Sequence, residues 1–204
     1  MKHFTGAQAA AVRREFVAYE LSEKSPLWSY YLQDGYFVIN NALRYNIITP
    51  RLVAIVNSML QLMAPLPRAV TLYRGLRFKQ DFKVGNSFSD AAFLSTTLDQ
   101  GLAWGISHDI LKLSVPNNIP IAYLSSELEI VLPPGCKFVV DEVDNDYDGR
   151  GHSYVSLSFV SLNTTELIAT VPELDSSHNI DNDLDYLDIL AQTYNLSQYD
   201  FDAS

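Results

Sequence analysis

The spacing of apolar residues along the chain changes once, near Pro67. Before it, side chains recur every three or four positions. In RLVAIVNSMLQLM the apolar positions 52, 53, 55, 56, 59, 60, 62 and 63 give a helix with one buried face. Thr49-Pro50 in front supplies a cap and a proline for the first turn, and Pro65 and Pro67 stop the run. Ser25-Pro26 repeats that start signal, and Thr5 caps a run from Gly6 to about Leu21. After Pro67 the runs are short, β-branched and aromatic: AVTLYRGL, FSDAAFLSTTL, DILKLSV, PIAYLSS, LEIVLP, CKFVVDEV and SYVSLSFVSL. Gly, Pro and Asn-Asp clusters separate them, and one short helix interrupts them around Asp99 to Ser107. Helices followed by strands predict an α+β domain.

The boundaries that follow are one domain over 1–172, with helices about 5–65 and a β core about 68–170, and a tail over 173–204. The tail changes the electrostatic picture. The chain carries a net charge of −10. Residues 173–204 hold eight carboxylates and no Lys or Arg, so the rest is nearly neutral. A near-neutral body is not a nucleic-acid binder, which needs a basic surface. The tail reads as disordered and solubilising, or as a short amphipathic helix through Leu184, Leu187, Leu190, Ala191 and Tyr194.

Several chemistries are excluded. There is no P-loop, no glycine-rich dinucleotide fingerprint and no nucleophile elbow. Cys136 stands alone, so no internal disulfide forms. His3, His108, His152 and His178 are scattered, and no metal is expected. Asp144, Asp146, Asp148 and Gly149 begin like a calcium loop, but the twelfth position is Val155, which favours a hairpin turn over a weak cation site. No apolar run is long enough to span a membrane, and the N-terminus does not read as a secretory signal.

Three short stretches remain. Arg74-Gly75 follows an aromatic in an apolar strand, and Arg68, Arg74, Arg77, Lys79 and Lys83 crowd around it. A guanidinium there either faces water or grips a phosphate bidentately, with Gly75 allowing close approach. Ser95-Thr96-Thr97 puts three hydroxyls at a strand end, as β-formers and a cap or as a holder of a carboxylate or ribose. Glu127 and Glu129, two apart in an expected strand, would share one face while Leu128, Ile130 and Leu132 pack inward. Two adjacent carboxylates disfavour each other's ionisation unless they face water or a cation. They also suit an oxocarbenium-like charge at a sugar C1.

In order, Arg-Gly after an aromatic, Phe-x-Ser-Thr-Thr and Glu-x-Glu before Ile-Val-Leu-Pro-Pro-Gly resemble the arginine–serine–glutamate class of mono-ADP-ribosyltransferases. The likeness is to its bacterial exoenzyme and phage (Alt/Mod-like) branch. It runs from about residue 30 to 142 and includes Ile39 to Arg44 in the helical part. It implies a helical lobe followed by a split β-sandwich around NAD, with NAD as substrate. By this resemblance Arg74 holds a phosphate and ribose of NAD, and Gly75 offers its backbone to the nicotinamide carboxamide. Ser95, with Thr96 beside it in the cofactor-binding stretch, orients the catalytic Glu129. Glu127 selects arginine as acceptor, and Phe93 and Trp104 pack on nicotinamide.

The loop before Glu127, only Ser125-Ser126, is short for the family, and Thr97 stands where serine is common. The expected partners are NAD and a target protein with a modifiable arginine, drawn from host transcription or translation machinery. The protein is expected to be a cytoplasmic monomer, in a host cytoplasm if phage-encoded or delivered. The alternatives are an NAD glycohydrolase using water, and a non-enzymatic binding module working through the acidic tail.

Overall fold

The computed structural model describes residues 3–17, 25–76, 80–124, 128–163, 180–194 and 196. Arg77, Lys79, Ser125, Ser126, Glu127 and the stretches 164–179 and 197–204 lie outside the described residues. The chain packs as two units, residues 1–20 with 63–163 and residues 21–62 with 164–204.

The first unit opens with α1, Gly6–Phe16. Thr5 and Gln8 form a reciprocal capping box, and Arg13 and Arg14 sit in the last turn, where cations suit the helix dipole. The helix ends in Phe16, fully buried, with its ring 5.2 Å from that of Tyr123. Glu15 is gripped by both nitrogens of Arg68, at 2.5 and 3.0 Å. The first helix therefore belongs to the sheet unit, not to a separate helical lobe.

Nine strands follow: β1 Ala64–Pro65, β2 Val70–Leu76, β3 Ser87–Ser89, β4 Leu94–Thr97, β5 Asp109–Val115, β6 Pro120–Leu124, β7 Glu129–Leu132, β8 Cys136–Asp144 and β9 Tyr154–Leu162. Helix α5, Gln100–Ile106, separates β4 from β5 and is capped by Asp99, which accepts from Gly101 N at 2.7 Å. The spatial order is β1-β6-β7-β4-β2-β5-β9-β8-β3. All pairs are antiparallel except β5 with β9. β2 and β5 pair over seven residues, but β2 meets β4 at one pair only, Tyr73 with Thr97. The sandwich is split there: two half-sheets share a narrow junction. Leu72, Leu94, Leu111, Leu113, Ile130, Leu132 and Phe138 fill the core beneath them.

FSDAAFLSTTL is two strands, not one, because Ala92 N bonds the Asp90 side chain at 3.0 Å and turns the chain between them. The expected strand through Glu127 and Glu129 also starts late. Leu128 has φ 51°, the left-handed region, and β7 begins at Glu129, while Glu127 lies outside the described residues.

The second unit contains α2 Pro26–Tyr30, α3 Tyr36–Arg44, α4 Pro50–Gln61 and α6 Ile180–Tyr194. A kink divides α2 from α3 where Asp34 takes φ 83°. Thr49 caps α4 by accepting from Leu52 N at 3.1 Å. Helix α6 is held by Arg51, whose Nε donates to buried Asp183 at 3.2 Å and whose guanidinium lies 4.8 Å from the Tyr186 ring centre. Tyr30 Oη donates to Asp188 at 3.3 Å, and Asn41 Nδ2 to the Leu196 carbonyl at 3.2 Å. Leu187, Leu190 and Ala191 form the buried stripe of α6.

Candidate active site

The site grows from the junction of the two half-sheets. On β4 and β7 the register sets Ser95 opposite Val131 and Thr97 opposite Glu129. Opposed residues in an antiparallel pair share a face, so Ser95, Thr97, Val131 and Glu129 project from one side. Tyr73, opposite Thr97, joins that side. Ser95 Oγ donates to Glu129 Oε1 diagonally across the ladder. The serine thus helps to fix the glutamate's position.

Arg74 lies in the alternate register, yet its guanidinium joins the same place. Its Nη1 donates to the Ser95 carbonyl at 2.8 Å. β4 meets β2 at a single residue pair, so this carbonyl sits where the ladder opens and a side chain replaces a strand donor. The arginine, serine and glutamate are therefore linked in series: guanidinium to serine carbonyl, serine hydroxyl to glutamate. A half-buried cation beside a carboxylate and a hydroxyl is a donor set suited to a diphosphate and a ribose.

Glu129 has a built support. Leu128 is buried, and its carbonyl accepts from Thr97 Oγ1 at 3.2 Å and from Leu98 N at 3.3 Å. Thr97 Oγ1 also accepts from Asp99 N at 3.1 Å. Asp99 accepts from Phe4 N at 2.8 Å, which ties the N-terminal segment to the start of α5. The third hydroxyl thus braces the turn that presents Glu129.

Other expected residues sit elsewhere. Thr96 shares the core-facing phase of Leu94, and its hydroxyl donates to the Ile130 carbonyl at 2.5 Å, so it is a strap between strands. Phe93 is fully buried, so its ring belongs to the interior rather than to a ligand surface. Gly75 has a packing reason of its own: an added Cβ would lie 2.5 Å from the Ala103 carbonyl oxygen and 2.9 Å from Ser107 N, so α5 comes close because Gly75 has no side chain. Trp104 stacks on His108, with centroids 4.3 Å apart at 21°, and meets Tyr147 and His152 edge-on. Glu127 lies outside the described residues.

Sequence reasoning missed that aromatic group and Tyr73. Burial pushes the Tyr73 hydroxyl up from its usual pKa. Burial, then the Asp148 and Asp109 carboxylates, push Tyr147 up to about 12. Tyr73 was visible only as the aromatic before Arg74, and the pairing of α5 with the β8–β9 hairpin has no local signal. The Asp144–Gly151 loop is a hairpin turn: Asp144, Asp146 and Asp148 accept from the backbone of Asp146, Gly151 and Arg150. Among the described residues, no group of three His, Cys, Asp or Glu is placed to hold a metal ion.

Comparison with known proteins agrees with this fold. The family model for ADP-ribosyltransferase exoenzymes matches residues 14–164. NAD(+)--protein-arginine ADP-ribosyltransferase Tre1 of Pseudomonas putida (strain GB-1) is 37% identical over 130 residues, which cover 58% of this chain and 26% of that protein. The chain thus spans about a quarter of that relative's length. The Clostridium limosum C3 exoenzyme superposes with TM-score 0.60 at 19% identity, covering 79% of this chain and 98% of that one. C3stau2 from S. aureus, solved with NAD, gives TM-score 0.58 at 16% identity over 79% of this chain and 99% of that one. Plx2a, an ADP-ribosyltransferase toxin from Paenibacillus larvae, gives 0.60 at 17% identity over 75% and 93%. At these identities the structures speak for the fold, while the family match spans most of the chain: it belongs to the ADP-ribosyltransferase exoenzyme family.

Proposed function

We propose that the chain transfers ADP-ribose from NAD to an arginine side chain of a protein. The observation that supports it most is the connected set Arg74, Ser95 and Glu129 at the junction of the half-sheets. Arg74 is the one cation of the three and takes the NAD phosphate. Glu129, oriented by Ser95, holds the nicotinamide ribose and faces the positive charge that develops at C1 of that sugar.

The bond from C1 to the nicotinamide nitrogen breaks, and nicotinamide leaves neutral with the electron pair. A guanidinium nitrogen of the acceptor forms the new bond to C1 and releases one proton. Glu127, two residues before Glu129, is the carboxylate assigned to pair with that guanidinium and take the proton. The acceptor is a basic protein, in keeping with the net charge of −10, and a component of host transcription or translation machinery. The arginine acceptor follows the activity for which the Pseudomonas putida relative is named and the Glu-x-Glu pair.

Separate measurement of nicotinamide release and of transfer to agmatine, a small guanidine, tests the roles. Glu129→Gln should lower both by about 100-fold or more. Glu127→Ala should abolish transfer to agmatine while leaving residual nicotinamide release. Full-rate transfer by the Glu127→Ala variant contradicts its assignment.

A further inference from the structure

Residues 3–5 lie against the start of α5, and Asp99 joins them to it. Asp99 is 4% exposed, and its two carboxylate oxygens serve two different segments. Oδ1 accepts from Gly101 N at 2.7 Å and caps α5. Oδ2 accepts from Phe4 N at 2.8 Å. A carboxylate is stable in a buried place only where donors satisfy it, so this one side chain couples the position of residues 3–5 to that of α5. Neighbouring contacts hold the segment further. The His3 ring occupies the space that a side chain at Gly101 would fill, with Nδ1 3.8 Å from Asp99 Oδ1. Phe4 packs against the hydrophobic core, and Thr5 caps α1, whose far end is fixed by Phe16 on Tyr123 and by Glu15 on Arg68.

The connection continues from Asp99 toward the catalytic strand. Asp99 N donates to Thr97 Oγ1 at 3.1 Å, and Thr97 Oγ1 donates to the Leu128 carbonyl at 3.2 Å. Leu98 N donates to the same carbonyl at 3.3 Å. That carbonyl shares a rigid peptide plane with Glu129 N, so donors on it fix the plane from which the glutamate departs. Leu128 also holds φ 51°, a conformation that a residue with a side chain keeps only when its surroundings impose it.

We propose that residues 3–5 act as a strap that, through Asp99, sets the direction of Glu129. Asp99 is then a positioning residue for NAD cleavage, acting through Thr97 and the Leu128 carbonyl. The inference rests on the transfer reading above. Because one carboxylate oxygen caps the helix and the other holds the strap, substitution can separate the two tasks.

The test uses the full chain with Asp99→Ser, Gly101→Ala and the two combined. Ser keeps an oxygen to cap α5 but offers no second acceptor to Phe4 N. Ala at 101 keeps the backbone bond to Asp99 and suits a helix better than Gly, while its methyl displaces the His3 ring. Both changes release the strap and leave α5 capped. The readouts are kcat and KM for nicotinamide release, transfer to agmatine, and amide exchange at Leu98, whose N–H reports the bond to Leu128. Each single variant should lower kcat about fivefold, with KM for NAD within about twofold, as expected for a misdirected catalytic group. Exchange at Leu98 should quicken in both. The combined variant should lose no more than Asp99→Ser alone, because both changes release one strap. Unchanged Leu98 exchange in both variants overturns the inference, whether or not the chain is active. So does full kcat in Gly101→Ala, which would leave Asp99 as a helix cap only, and so do losses that multiply in the combined variant. If the unsubstituted chain neither releases nicotinamide nor labels agmatine while Leu98 exchange still quickens in the variants, the transfer reading has failed rather than the strap.

Discussion

In the proposed transfer the three residues at the junction have separate tasks. Glu129 is the charge that faces the sugar, Ser95 Oγ donates to it, and Arg74 Nη1 donates to the Ser95 carbonyl. Ser95→Ala should therefore reduce turnover by about 10-fold or more, with little change in thermal stability, because only one half-buried hydrogen bond is removed. Equal loss of activity and of melting temperature would mean the serine supports the fold instead. Gly75 behaves in the opposite way. Its missing Cβ makes room for the Ala103 carbonyl, so Gly75→Ala should destabilise the sheet unit by about 1–3 kcal/mol, read by denaturant unfolding. That Arg74, Ser95 and Glu129 come together was legible in the sequence because each combines an unusual residue type with a strand context. Thr96 and Phe93 were misleading because strand phase and burial, which decide what a side chain can touch, are not written locally. The inward phase of Thr96 follows only once β4 is paired with β7.

Elements hold this site through caps and ion pairs that act over short distances. The Arg68 hydrogen bond holds the Glu15 carboxyl below its usual pKa of 4.5. A carboxylate with a lowered folded pKa stabilises above its unfolded value, and the contribution disappears as pH falls through the folded value. The attachment of α1 should thus weaken only below about pH 4.5, and Arg68→Ala should flatten that acid limb in pH-dependent unfolding. The pair is partly exposed, so the change should stay below about 1 kcal/mol. Strand positions were readable from their β-branched and aromatic runs, and DILKLSV matches β5 residue for residue. Breaks were not. The kink at Asp34 and the left-handed Leu128 need no Pro or Gly at those positions, so tertiary packing sets them.

At the scale of the molecule, the acidic tail is more than a solvated appendage. Asp183 is buried against Arg51, and Tyr186 receives the same guanidinium, so α6 is part of the helical unit. Asp183→Ala should remove the ion pair to partly exposed Arg51 and destabilise that unit by about 1–3 kcal/mol in chemical unfolding. The sequence showed the apolar stripe Leu187, Leu190 and Ala191 but not its partner, because the residues that meet it lie more than a hundred positions earlier.

The central claim is that Glu129 drives cleavage of NAD with transfer to protein. Purified chain and its Glu129→Gln variant, incubated side by side with labelled NAD and a bacterial lysate, test it most directly. The account predicts labelled protein bands from the first, with the label on arginine by mass spectrometry, and none from the second. Intact NAD with the unsubstituted chain, or equal labelling by the variant, would contradict it.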